Sequence, residues 1–95
     1  MTRNFIIEDQ HHAEQIGEFS TLQDAWDALQ RLSSIAWDAH PNVAPCRDWP
    51  TCGRDYEIIE YDTGATPWVP VRRHAGLTVS AAGIAWGPDA PRPET

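Results

Sequence analysis

The sequence contains no lysine; all seven of its basic residues are arginine. Fourteen acids stand against them, and the formal charge is −7. A field of that sign repels phosphate, so direct nucleic-acid binding is not expected. There are two cysteines, Cys46 and Cys52, too few to staple a secreted disulfide scaffold. No stretch approaches the ~18 apolar residues that span a bilayer, so no membrane association is expected. Met1-Thr2-Arg3-Asn4, followed by Phe5-Ile6-Ile7 and then Glu8-Asp9, holds no signal-peptide core, and the expected location is the cytoplasm. Also missing are a Gly-rich phosphate loop, a Walker pattern, HExxH and a nucleophile elbow. An enzyme is therefore not expected.

The chain has 95 residues, which is the length of one domain. At this size roughly 60–65% of the unfolded chain's surface can be buried, and the core is thin. The expected division is a single domain at 1–86 and a disordered Pro-rich tail at 87–95.

Hydrophobic periodicity predicts one helix. Leu22, Ala25, Trp26, Leu29, Leu32, Ile35 and Ala36 recur at spacings of three and four and build one apolar stripe. Ser20 or Thr21 can cap its start, with Gln23 placed as in a capping box. Pro41 disfavours helical geometry at His40, so the helix is expected over 21–38. Strands are expected at 4–8, 54–62, 68–72 and 77–80, with a short one at 84–86. Residues 9–19 read as a polar connection. Pro70 lacks the N–H of a central ladder, which places its strand at an edge or at a bulge. The expected fold class is α+β: one amphipathic helix packed on a mostly antiparallel sheet of four or five strands, in the order β-α-β-β-β(-β).

Residues 40–53 hold three prolines and a glycine, and a long irregular segment in a small domain is often functional. His40, Cys46 and Cys52 are its candidate metal ligands. Zinc takes Cys and His in tetrahedral sets, usually with a Cys-x2–4-Cys pair. The spacing here is Cys-x5-Cys, so free thiols, a Cys46 to Cys52 bridge and a zinc site all remain open. Free thiols, with no cofactor, are the expected state. His11 and His12, beside Glu8, Asp9 and Glu14, read as surface residues with no nucleophile near them. Arg72 and Arg73 are adjacent on a strand and so point to opposite faces. Their expected role is pairing with Glu57, Glu60 or Asp62.

Five tryptophans are many for this length. Trp26 belongs to the helix's apolar stripe. Trp49 and Trp68 each adjoin a proline at the end of a loop or turn, and large aromatics anchor interfaces. They are the candidate centre of an interaction patch, with Arg47 and Arg54 at its rim. The functional expectation is a small non-enzymatic interaction module, an adaptor or inhibitor of bacterial or phage origin, with a protein partner. The alternatives are a small zinc-binding domain organised by Cys46 and Cys52, and an acidic DNA mimic that binds a basic protein.

Overall fold

Runs rich in Ile, Val and Tyr become the three central strands of one antiparallel sheet in the computed structural model, which describes residues 2–43 and 53–90. The elements are β1 (Arg3–Asp9), β2 (Glu14–Phe19), α1 (Leu22–Leu32), β3 (Gly53–Asp62), β4 (Val69–Ser80) and β5 (Gly83–Trp86). The five strands lie in the order β2-β1-β3-β4-β5, every neighbouring pair antiparallel. The fold is therefore α+β, one helix on a five-stranded antiparallel sheet. Among the described residues no helix is long and apolar enough to cross a membrane.

Thr21 starts the helix as expected. Its extended backbone leaves the Oγ1 to accept the Asp24 N–H at 3.1 Å, satisfying one of the four amides that a helix start leaves unpaired. The buried stripe is Ala25, Trp26, Ala28, Leu29 and Leu32. It meets Phe5, Ile7, Tyr56, Ile58, Leu77 and Val79 on one face of the sheet. Gly76 lets the helix come close, since a Cβ there would lie 2.7 Å from Leu29 Cδ1 and 2.8 Å from the Tyr56 carbonyl oxygen.

The helix is shorter than the 21–38 predicted from periodicity: it ends at Leu32. Three side chains end it. The Ser33 and Ser34 hydroxyls donate to the Gln30 and Arg31 carbonyls, the kind of local bond that competes with continued helix. The Asn42 amide donates to the carbonyls of Leu32 and Ile35, each at 2.9 Å. Ile35 and Trp37 still pack on the core without being helical. Two further differences concern the strands. The connection expected over 9–19 contains β2, which pairs with β1 through Phe5 opposite Phe19 and Ile7 opposite Gly17. The strands expected at 68–72 and 77–80 are one strand, β4, bulged against β3 at two places. Ile6 and Ile59 face each other on the side of the sheet away from the helix and are also buried. In register they stand between Glu18 and Arg73, whose long side chains can shelter apolar neighbours.

Candidate functional site

Asp9 ends β1 and is fully buried. A buried carboxylate must be paired and hydrogen-bonded, and Asp9 is both. Its Oδ1 accepts the His11 N–H and the Asp55 N–H, each at 3.0 Å. Its Oδ2 receives Arg54 Nη1 at 2.9 Å and lies 2.6 Å from His12 Nδ1. Arg54, at the start of β3, is equally enclosed. Its Nη2 and Nε donate to the carbonyls of Val43 and Asn42 at 2.7 and 3.2 Å, and Glu14 stands 3.4 Å from Nη1. Tyr56 donates its hydroxyl to Asn42 Oδ1 at 2.9 Å. One network thus joins the β1–β2 turn, the end of α1 and the start of β3.

Burial alone would raise the Asp9 pKa, but bonds from the Asp55 N–H, Arg54, His12 and the His11 N–H outweigh it and hold the carboxyl below its ordinary value. Burial likewise opposes the charge on Arg54, and the bond to Asp9 with the nearby Glu14 reverses that, raising its pKa. Burial pushes the Tyr56 hydroxyl up to about 12. A general acid or base works best when its pKa lies near the operating pH. Asp9 and Tyr56 are both moved away from neutrality. Their network ties the β1–β2 turn, the segment after α1 and the start of β3 together.

The other candidate is the β4–β5 side of the sheet. β5 covers β4 only from Leu77 to Ser80. The Ala75 N–H and the Gly76 carbonyl are taken by the Asp89 carboxylate at 2.9 Å and the Gly87 N–H at 2.7 Å. Among the described residues nothing pairs with the outer edge of 69–74. Along this side lie Trp68, Val69, Val71, Ile84 and Trp86, between 39% and 48% exposed. Ile84 and Trp86 stand opposite the core residues Val79 and Leu77 and so extend the helix-bearing face outward. Trp68 leans on Tyr61, ring centres 6.1 Å apart. The bland explanation is that isolated exposed apolar residues are common. Here all the large ones among the described residues lie on or beside β4 and β5, Trp68 against Tyr61, which alternation turns away from the helix, and Ile84 and Trp86 on the helix-bearing face.

The residues singled out from sequence are divided by the structure. Trp68 is exposed and keeps its place as an interaction candidate. Arg54 does not sit at a rim. It is 5% exposed, because its guanidinium is needed to neutralise Asp9 and to satisfy two backbone carbonyls. Trp49, Arg47, Cys46 and Cys52 lie outside the described residues. His40 is exposed, and among the described residues no group of three or more His, Cys, Asp or Glu could hold a metal. Arg73 pairs with Glu57 at 3.3 Å, as its strand position suggests. Residues 87–90, assigned from sequence to a disordered tail, include the Gly87 and Asp89 contacts to β4, and 91–95 lie outside the described residues. Sequence reading missed Val69, Val71, Ile84 and Trp86 as surface residues. Their alternate spacing marks a face of a strand but does not say whether another layer lies over it. No family model, no curated protein and no solved structure matches this chain.

Proposed function

We propose that this chain is a non-enzymatic protein-interaction module whose partner docks along the β4–β5 side of the sheet. The observation that carries the reading is the gathering of Trp68, Val69, Val71, Ile84 and Trp86, all the large exposed apolar side chains among the described residues, on that side. Exposed apolar groups gathered on one side mark a docking surface more often than scattered ones do. The stretch 69–74 of β4, unpaired on its outer edge among the described residues, adds backbone groups to them.

The test uses Val71→Thr and Ile84→Thr, which keep strand preference while removing apolar surface. Both positions are nearly half exposed, so each change should alter unfolding free energy by no more than about 0.5 kcal/mol. The tagged wild-type chain should capture a defined protein from native lysate, and the double variant, equally folded by thermal melting, should lose it. Capture that is indifferent to both substitutions rules out this surface.

A further inference from the structure

Residues 69–74 of β4 have β3 on one side and, among the described residues, no paired strand on the other. We infer that this edge accepts an extended acidic segment of another protein as an added strand, recognised by an adjacent pair of carboxylates that meet Arg72 and Arg73 on opposite faces of the sheet. This inference rests on the reading of the β4–β5 side as an interaction surface and names the chemistry of its partner.

The open edge specifies an extended occupant, because unpaired N–H and C=O groups along a strand are satisfied by another strand. Its length follows from where the edge closes. The chain's own Gly87 and Asp89 occupy the positions beside Gly76 and Ala75, so the open part stops at His74. Asp89 also shows the kind of group this edge takes, since its carboxylate accepts the Ala75 N–H.

Charge complementarity specifies the side chains. Arg72 stands opposite Glu60, whose carboxylate lies 3.8 Å from His74 on the helix side. Arg72 is exposed and makes no ion pair among the described residues. Arg73 stands opposite Ile59 on the other face; it reaches Glu57 at 3.3 Å, and its side chain remains 52% exposed. On an added strand, consecutive residues also point to opposite faces. Two adjacent acids would meet the two arginines at cross-strand distance, about 4.5–5.5 Å between Cβ atoms. The residues flanking them would fall opposite Val71 and His74, so an apolar residue suits the Val71 side.

The same arginines argue against a second copy of this chain. Two β4 edges pairing antiparallel about residues 71–73 would set arginine against arginine, which is unfavourable. Pro70 adds a position with no N–H to share. The edge is thus defended against its own kind and open to an acidic strand.

The probe is the acetylated and amidated peptide Thr-Val-Glu-Glu-Val-Thr, titrated into the full chain with amide NMR signals as the readout. A control peptide carries Lys-Lys in place of Glu-Glu, and a second control is N-methylated at alternate residues. Shifts should concentrate at 69–74, and the acidic peptide should bind at least about tenfold more tightly than the lysine peptide at low salt. That preference should weaken as the screening length falls from about 30 Å at 0.01 M salt to about 8 Å at 0.15 M. Arg72→Glu should reverse it, and the methylated peptide should bind poorly. Equal binding of both charged peptides, shifts elsewhere, or concentration-dependent self-association that occupies this edge would overturn the inference. If the peptides fail while lysate capture still requires Val71 and Ile84, the interaction surface stands and only the acidic-strand partner falls. If capture too is indifferent, both fall.

Discussion

Both carboxylate oxygens of Asp9 are committed, each to two partners. Arg54 is the partner that neutralises it inside the protein. Removing one member of a buried pair leaves the other charge uncompensated, which costs about 3–5 kcal/mol. Asp9→Asn should therefore lower the free energy of urea unfolding by that order at neutral pH. The pH dependence has a definite sign. Folded Asp9 has a pKa below that of the unfolded carboxyl, so the folded state releases this proton more readily. Its contribution is complete above the ordinary carboxylate range, near about pH 4, and is lost as pH falls through the folded value. The gap between wild type and Asp9→Asn should therefore shrink below about pH 4. A gap that stays constant down to about pH 2 would mean that Asp9 is not held in this way.

At the scale of elements, α1 is a docking helix whose length is set by its surroundings. Propensity and periodicity would carry it further, but Asn42 takes the carbonyls at its end, and Arg54 and Tyr56 hold Asn42 in place through its own carbonyl groups. The chain's passage from helix to sheet is thus fixed by polar side chains, while the helix's grip on the sheet is apolar. Leu29 is the centre of that grip, fully buried and against Gly76. Leu29→Ala should cost about 2–5 kcal/mol, a large share of the stability of a small domain. A melting curve unchanged by the substitution would refute the facing of α1. β4 shows the complementary rule. Bulges at Gly76 and Val71, which the register leaves without an opposite residue on β3, let one long strand carry Gly76 and, next to Val71, Pro70 without breaking.

For the molecule as a whole, the charge of −7 bears on stability as well as on partners. Glu8 and Glu57 are directly opposite in the β1–β3 ladder, where like charges repel. Arg73 reaches Glu57 from β4 and offsets part of this. Raising salt from about 0.01 M to about 0.15 M screens exposed charges but barely touches the buried pair of Asp9 and Arg54. Unfolding free energy should rise by a few tenths to about 1 kcal/mol over that range, read as a higher urea midpoint. A midpoint that falls would show that surface ion pairs, such as the half-buried Arg3 with Glu60 and Arg73 with Glu57, outweigh the net repulsion. The charge is uneven: Arg72 and Arg73 are adjacent on the stretch of β4 that, among the described residues, pairs only with β3 and carries the exposed Val69 and Val71.

The helix stripe over Leu22 to Leu32, its cap at Thr21, and the strands expected at 4–8 and 54–62, observed at 3–9 and 53–62, could be read from the sequence. Periodicity and capping depend on neighbours three or four residues away, and those neighbours are fixed by the chain itself. The α+β class followed from their order. Trp26 could be placed in the core for the same reason, and the pairing of Arg73 with Glu57 was suggested by strand alternation. Arg54 could not be placed. Its partner Asp9 lies 45 residues away, and only the register of β1 against β3 brings the two together. β2 was hidden because Gln15, Gly17 and Glu18 weaken its alternation, and it becomes a strand by pairing with β1. The β4–β5 surface was hidden for a related reason. Alternation in Val69, Val71, Ile84 and Trp86 predicts that they share strand faces, but exposure depends on which layer covers each face. The tertiary structure decides that, because α1 covers the sheet over Leu77 and Val79 and leaves Ile84 and Trp86 beyond its reach.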